Sequence, residues 1–160
     1  MTTEAVLQMR KTGVAQKTNQ VKMQFQSIGK NAALARLIVA ALVAEHDLTL
    51  ADLDEIKVAV SEAVSNAIIH GYGNNPHCLV GMSVTVTDDL LTISIEDSGV
   101  GIADVHEAMQ ANFSSDAERM GLGFSFMQSF MDEVQVHSVV CKGTTVTMSK
   151  RLPELSRGEG

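Results

Sequence analysis

Residues 61–72 of the chain read SEAVSNAIIHGY and begin inside a long apolar pattern, from Leu53 to Ile69, that contains no Gly or Pro. This pattern predicts a helix. Glu62, Asn66 and His70 are spaced i, i+4 and i+8, so they would form a polar line along one face of that helix. Polar groups on an otherwise apolar helix need hydrogen-bond partners, which a cleft holding a polar ligand supplies. A solvated stripe on an amphipathic helix is the alternative.

The length and composition of the chain indicate one domain with its own core. Its 160 residues carry a net charge of −7 and two cysteines, Cys78 and Cys141, which lack metal-ligand spacing. A chain of this length buries a core without cross-links, and free thiols fit a reducing compartment. The acidic balance argues against nucleic-acid binding, which depends on clustered Lys and Arg. Because no apolar run approaches the roughly 20 residues of a membrane span, we predict a cytoplasmic protein with no membrane contact.

The order of helix and strand signals predicts a two-layer α/β sandwich, in which helices cover one face of a mixed, mostly antiparallel sheet. The domain is expected over residues 20–152, after a flexible extension over 1–19 and before a disordered tail over 153–160. Asn31 and Thr49 are the expected helix N-caps. The predicted elements are a strand over 21–27, helices over 31–45 and 49–69, a hairpin over 79–96, a helix over 122–131 and a hairpin over 134–151.

A polar, glycine-containing segment over residues 99–120 separates the two predicted hairpins. Irregular segments of this length are uncommon in a compact domain unless they have a function. We interpret the segment as a lid over a binding site.

The sequence DSGVG at residues 97–101 directly follows a predicted strand. An acidic side chain such as Asp97 at a strand end can accept a hydrogen bond from an exocyclic amine such as that of adenine. Gly99 and Gly101 would let the backbone approach a ligand closely. An ordinary turn is the alternative, because an Asp with two glycines is common in turns.

The sequence RMGLG at residues 119–123 lies at the predicted start of the last helix. Glycines there would leave backbone N–H groups free to hold phosphate oxygens, and Arg119 would add a fixed positive charge. A flexible entry into a core helix is the alternative. Thr144, at the end of the second hairpin turn, has a hydroxyl that would support an adenine contact.

Together these motifs resemble the nucleotide-binding set of the GHKL ATPases. Residues 61–72 are similar to SEAVTNAIIHGY of one branch, the bacterial anti-sigma factor serine kinases. GLGF at 121–124 and FMDEV at 130–134 are similar to that branch's GMGF and NFMDDV. The resemblance extends from about Val21 to Leu152 and implies the GHKL ATP-binding fold, with ATP and Mg²⁺ as cofactors.

The resemblance also implies a role for each matching residue. Asn66 would ligate Mg²⁺ through its amide oxygen, and Glu62 would be the general base for an incoming serine hydroxyl. Asp97 would bind the adenine amine, with Thr144 in support. The other implied residues are Gly99, Gly101, Gly121 and Gly123 around the nucleotide, Arg119 near the γ-phosphate, and Arg36 on the surface that partners use.

The implied function is an ATP-dependent anti-sigma factor that is also a protein serine/threonine kinase. It would sequester a sporulation sigma factor, phosphorylate a serine on an anti-anti-sigma protein, and work as a homodimer. Residues 114–117 read SSDA where the family usually has TTKP. A sequestering module without kinase activity is therefore one alternative, and a kinase that serves the general-stress sigma factor is another. A histidine-kinase catalytic domain is disfavoured, because it would need an upstream helical hairpin.

Overall fold

The computed structural model describes residues 17–110 and 116–155, and only the backbone of residues 116–122. Most of the predicted extension, over 1–16, and the end of the predicted tail, over 156–160, lie outside this description. The same is true of residues 111–115 in the predicted lid. These predictions therefore remain predictions.

Five strands form a single sheet in the described part of the chain. They are β1 (Asn19–Gln26), β2 (Leu79–Val86), β3 (Leu90–Asp97), β4 (Glu133–Val139) and β5 (Gly143–Arg151). Their order across the sheet is β1-β2-β3-β5-β4. The sequence predicted a mixed, mostly antiparallel sheet, whereas every strand pairing in the described chain is antiparallel. Two tight hairpins account for the β2–β3 and β4–β5 pairings, since a short turn can join only antiparallel neighbours, whereas β1–β2 and β3–β5 pair across longer connections that contain helices.

Within residues 17–110 and 116–155, four α-helices and one π turn accompany the sheet. They are α1 (Asn31–Leu42), α2 (Leu50–Asn66), a π turn (Ala67–Gly71), α3 (Val105–Met109) and α4 (Asp116–Phe130). Thr49 caps α2 as predicted: its hydroxyl accepts from the Asp52 N–H at 3.0 Å, and the Asp52 carboxylate accepts from the Thr49 N–H at 3.2 Å. Such a reciprocal cap stabilises a helix by about 1 kcal/mol.

The core lies between the helices and one face of the sheet. Along β2, buried Val80, Met82 and Val84 alternate with partly exposed residues, so one face of the strand is apolar. Helix α2 contributes the fully buried Ile56 and Val60 to the same core cluster. This arrangement confirms the predicted two-layer sandwich.

The boundaries of α1 differ from the prediction. Lys30, not Asn31, is the N-cap, because the Asn31 side chain donates to the Gln26 carbonyl at 2.9 Å and so ties the helix to β1. The helix ends at Leu42 rather than at Glu45.

The predicted lid is partly helical, contrary to the expectation of an irregular segment. Asp104 caps α3 by accepting from the Glu107 N–H at 2.9 Å, and Ala108 is buried against the core. Helix α4 begins at Asp116 instead of about Leu122, so Gly121 and Gly123 lie inside it and not at its amino end. The prediction of free backbone N–H groups at these two glycines was therefore wrong for this structure.

Two further findings bear on the sequence predictions. Cys78 and Cys141 are free thiols, as predicted. Among the helices of the described residues, none is long and apolar enough to cross a membrane.

Candidate functional site

Helix α2 carries Glu62 and Asn66 one turn apart on the side that faces α4. Glu62 is half-buried, and this burial raises the pKa of its carboxyl above the ordinary value for glutamate. Asn66 Nδ2 is buried and has no hydrogen-bond partner among the described residues. An orphaned buried amide costs free energy unless something binds it, so Asn66 indicates a site for a ligand.

The π turn after α2 changes the direction of the chain at the site. The Tyr72 N–H donates to the Ala67 carbonyl at 3.0 Å, five residues back, where the sequence predicted a continuous α-helix to Ile69. Single π turns inside helices are frequent at functional sites. Here the turn brings His70 and Gly71 to the same cleft as Asn66.

Gly71 and Gly99 allow the loop after β3 to lie directly against the π turn. A Cβ on Gly99 would be 2.0 Å from the Gly71 carbonyl oxygen, and a Cβ on Gly71 would be 2.6 Å from Asp97 Cγ. The Val100 N–H donates to the same Gly71 carbonyl at 3.0 Å. Glycine is therefore required at both positions by close packing.

Asp97 is the last residue of β3 and is only 7% exposed. Burial raises the pKa of its carboxyl above the usual aspartate value, although backbone N–H groups of Gly99 and Thr144 act in the opposite direction. The Gly99 N–H donates to Asp97 Oδ1 at 2.9 Å. These contacts fix the carboxylate while leaving acceptor capacity for a ligand.

Thr144 lies opposite Asp97 in the β3–β5 pairing and is 8% exposed. Its Oγ1 is 2.8 Å from Ser138 Oγ on β4. Gly143, which precedes it, has φ +121°, and a Cβ there would be 2.0 Å from the Asp97 carbonyl oxygen. The hairpin turn thus brings a hydroxyl beside a buried carboxylate.

Asn66, Asp97 and Thr144 line one cleft, together with His70 and Gly71 of the π turn. Its apolar walls would suit a flat ring, and its few polar groups would fix the orientation of that ring. Gly101, with φ +73°, also lines the cleft. The apolar lining residues are Ala63, Ala67, Ile95, Ile102, Phe124 and Val146, and the polar ones are Asn66, His70, Asp97 and Thr144.

Gly123 joins α4 to the polar face of α2. A Cβ at this position would be 2.9 Å from Glu62 Oε2 and 3.3 Å from Asn66 Nδ2. The absence of a side chain therefore leaves room for both polar groups. The side chain of Arg119 lies outside the described part of α4, as do the surroundings of Gly121.

Arg36 lies away from this cleft, on α1. Its guanidinium donates to Ser61 Oγ at 2.8 Å, and Ser61 Oγ donates to the Lys57 carbonyl at 2.9 Å. Since Ser61 immediately precedes Glu62, the arginine is attached to the same stretch of α2 that carries the acid.

Residues 26–150 match the family model described as the histidine kinase-like ATPase domain. The chain is also 49% identical over 134 residues to the anti-sigma F factor of Geobacillus sp. (strain WCH70), covering 82% of this chain and 92% of that protein. The chain belongs to the histidine kinase-like ATPase family. Within this family it groups with the anti-sigma F factors, including that of Geobacillus kaustophilus (strain HTA426), at 48% identity over 136 residues, 84% of this chain and 93% of that one.

A solved structure supports the fold of this histidine kinase-like ATPase. The RsbU and RsbW domains of Rv1364c from Mycobacterium tuberculosis superimpose with a TM-score of 0.58 at 19% sequence identity. The match covers 87% of this chain and 35% of that longer chain. At this identity the likeness concerns the fold alone.

The family implies a bound Mg²⁺, and the polar residues of the cleft fit such an ion. Mg²⁺ prefers oxygen ligands and is held by few protein groups when substrate phosphates supply the rest. Asn66 has an amide oxygen of this kind: a Cβ at Gly123 would lie 3.4 Å from it and 2.9 Å from Glu62 Oε2, so the two oxygen groups lie close together. Asn66 is therefore the residue that would hold such an ion.

Sequence reasoning missed two residues that organise the site. The Tyr72 hydroxyl donates to the Leu79 carbonyl at 2.6 Å and accepts from the Ser98 N–H at 2.7 Å, which links β2 to the loop after β3. Ser138 links β4 to the same loop, by accepting from the Ile102 N–H at 2.8 Å. Tyr72 is the last residue of the motif at 61–72, so its part in the site could have been predicted from the sequence. Nothing in the sequence around Ser138 indicated its contacts.

Because the family resemblance implies that Glu62 is a general base, a Gly123→Ala variant is expected to keep the fold but lose phosphoryl transfer. Alanine in a helix interior is favoured over glycine by about 1 kcal/mol, so the melting temperature should stay equal or rise. The new methyl group would displace the flexible end of Glu62, and misplacing a catalytic group by about 1 Å costs on the order of 100-fold in rate. Thermal melting and a transfer assay on the same preparation test both parts. A fully active variant would contradict the assigned position of Glu62.

Proposed function

We propose that this chain is an ATP-dependent anti-sigma factor that sequesters a sporulation sigma factor in the cytoplasm. We also propose that it is a protein kinase that phosphorylates a serine of an anti-anti-sigma protein. The observation that carries the proposal is the half-buried Glu62 beside Asn66 and Gly123, at a cleft whose far end holds the buried Asp97. The names of the two Geobacillus relatives are consistent with the sigma-factor part.

The cleft accounts for nucleotide binding in this proposal. The Asp97 carboxylate accepts from the exocyclic amine of adenine, and Thr144 lies next to it on β5. Gly99 and Gly101 allow close backbone approach, and Gly121, Gly123 and Arg119 belong to the end of the site that faces the phosphates. Bound Mg²⁺ would neutralise charge that develops on the phosphates during transfer.

Glu62 acts as the general base in the proposed reaction. The substrate serine oxygen forms a bond to the γ-phosphorus while the bond between that phosphorus and the β,γ-bridging oxygen breaks, and ADP leaves. The serine proton passes to the Glu62 carboxylate. Burial raises the pKa of Glu62, and a base with a raised pKa accepts a proton more readily at neutral pH.

Helix α1 supplies the proposed partner surface. Arg36 is half-buried against Ser61, and Leu37 next to it is 66% exposed. An arginine beside an exposed apolar side chain is typical of protein interfaces. We propose that the sigma factor and its antagonist both bind here, on a homodimer of this chain. Phosphate added to the antagonist would place negative charge in that interface and release it.

A sequestering module without kinase activity is the second candidate. It is favoured by one observation, the sequence SSDA at 114–117, which lacks the lysine of the family's usual lid. A kinase for the general-stress sigma factor would share all the features above, and neighbouring genes would distinguish it.

A pull-down with purified wild-type chain as bait, with and without Mg-ATP, tests sequestration. We expect a sigma factor to be retained only with ATP, and retention to fall at least about tenfold for Arg36→Ala. Lys22→Ala is the matched control, because Lys22 lies on the exposed side of β1. Equal retention without nucleotide would contradict the proposal.

Intact-mass measurement of the anti-anti-sigma protein after incubation with Mg-ATP tests phosphoryl transfer. If no phosphate is added, only the sequestering role remains.

A further inference from the structure

Two phenylalanines form an aromatic pair on the outer side of α4. The rings of Phe126 and Phe130 stack with their centroids 5.9 Å apart and with 18° between their planes. Phe126 is 44% exposed, whereas Phe124, two residues earlier, is buried in the core. Aromatic side chains are enriched where proteins contact one another. The exposed pair therefore indicates a contact surface.

Contacts at both ends of the helix pair fix how α4 lies along α2. At one end, a Cβ on Gly123 would be 2.9 Å from Glu62 Oε2. At the other end, Lys150 Nζ donates to the Phe130 carbonyl at 2.7 Å and pairs with Glu55 Oε2 at 3.5 Å. Residue numbers fall along α2 from the first contact to the second but rise along α4, so the two helices run antiparallel.

Val58 lies at the same level of the helix pair as Phe126. Val58 is one turn before Glu62 on α2, and Phe126 is one turn after Gly123 on α4. Like Phe126, Val58 is exposed, to 37%. Val58, Phe126 and Phe130 thus form an apolar strip along the groove between the helices, which we call the α2–α4 seam. With a rise of about 1.5 Å per residue, Val58 is about 6 Å from Glu62 along the helix axis.

The proposed reaction determines which partner reaches the α2–α4 seam. A serine hydroxyl that gives its proton to Glu62 must come within hydrogen-bond distance of the carboxylate, about 3 Å. The chain that carries this serine then covers the exposed surface beside Glu62. Arg36 and Ser61 flank Glu62 on the side of α1, and the seam flanks it on the side of α4. A sigma factor bound at Arg36 gives no proton to Glu62 and so has no need to reach α4.

We propose that the α2–α4 seam is a docking surface for the anti-anti-sigma protein, where an apolar side chain near the target serine packs on Phe126 and Val58. The sigma factor does not use this surface. This inference rests on the proposed kinase function and deepens it, because it gives the phosphorylation substrate a contact that the sigma factor lacks. It also specifies the substrate: its serine has an apolar neighbour about 5 to 10 Å away, the distance along the helix axis from Glu62 to the two aromatic residues.

Steady-state phosphoryl transfer, measured while the concentration of the anti-anti-sigma protein is varied, tests the seam. Phe126→Ala is expected to raise the KM for this protein about tenfold and to leave kcat and the KM for ATP within about twofold of wild type. Phe126→Leu keeps an apolar side chain, so its KM should stay within about threefold of wild type. Val58→Ala removes a smaller contact and should raise the same KM about threefold.

Leu50→Ala is the matched control. Leu50 is 82% exposed in the first turn of α2, about 18 Å from Glu62 along the helix axis. This variant should keep the wild-type KM for both substrates. Alanine is favourable in helices, so the three alanine variants should melt near the wild-type temperature. If Phe126→Ala does not fold, Val58→Ala decides the test.

The sigma-factor pull-down separates the two partner surfaces. Phe126→Ala should retain as much sigma factor with Mg-ATP as wild type does, in contrast to Arg36→Ala. An equal loss of sigma factor in both variants would overturn the proposal, because the seam would then serve both partners.

The other outcomes are also decisive. A wild-type KM for the anti-anti-sigma protein in both Phe126→Ala and Val58→Ala would overturn the seam and leave the kinase function intact. A rise in the KM for ATP alone would mean that another part of this chain covers the seam, and a changed mass in solution would mean that a second copy does; either result overturns the proposal. If wild type transfers no phosphate, the proposed kinase function fails, and the seam fails with it.

Discussion

Replacing Glu62 by Gln is expected to lower the rate of phosphoryl transfer by a factor of about 100 to 10,000, the range for loss of a general base. Affinity for ATP should remain within about twofold, because Glu62 lies beside Asn66 and Gly123 and does not line the adenine end of the cleft. The measurement is single-turnover transfer to the anti-anti-sigma protein, with ATP affinity determined separately.

Glu55→Gln is the control for this variant. Glu55 lies two turns earlier on α2, is partly exposed, and forms an ion pair with Lys150 at 3.5 Å. The Glu55 side chain is 41% exposed, so the loss of its charge should have little effect on phosphoryl transfer. Equal rates for Glu62→Gln and Glu55→Gln would show that Glu62 is not the base.

The pH dependence of transfer follows from the same group. Transfer requires ionised Glu62, so the rate should rise with pH through its raised pKa and then level off. The contribution of Glu62 to the free energy of unfolding has the opposite pH dependence. A raised pKa means that the contribution of Glu62 is present below its unfolded pKa and is lost as pH rises through its folded pKa. Glu62→Gln should therefore be no less stable than wild type at neutral pH.

Replacing Asp97 by Asn is expected to weaken ATP binding about 100-fold, the upper range for one hydrogen bond to a charged group. Burial raises the pKa of Asp97, so its ionised carboxyl destabilises the folded chain at neutral pH. The nucleotide-free variant should therefore melt at an equal or higher temperature. Calorimetric titration with ATP and thermal melting measure the two effects.

Asp54→Asn is the matched control for Asp97→Asn. Asp54 is largely exposed on α2 and pairs only weakly with Lys57, at 3.9 Å. The Asp54→Asn variant should change neither the affinity for ATP nor the melting temperature. ATP affinity of Asp97→Asn within about threefold of wild type would contradict the role of Asp97 at the adenine amine.

The sequence predicted those elements that depend only on residues close together along the chain. The cap at Thr49 and Asp52 needs only residues three apart, and the alternation along β2 needs only the two-residue period of a strand. The polar line of Glu62 and Asn66 was visible for the same reason. These features predicted the sandwich and one wall of the cleft.

Features that depend on contacts across the chain could not be read from the sequence. The fit of Gly99 against Gly71 becomes apparent only when the loop and the π turn meet in space. Helix α4 runs through Gly121 and Gly123, although glycine usually weakens a helix, and Gly123 packs against α2. The Ser138 hydroxyl contacts the Thr144 hydroxyl only because β4 lies beside β5 in the folded sheet.

A crystal structure of the chain with Mg²⁺ and a non-hydrolysable ATP analogue tests the central claim most directly. We expect Asp97 within hydrogen-bond distance of the exocyclic amine of adenine, the Asn66 amide oxygen on the metal, and Glu62 near the γ-phosphate. A nucleotide bound elsewhere, or Asn66 and Glu62 turned away from the phosphates, would contradict the account.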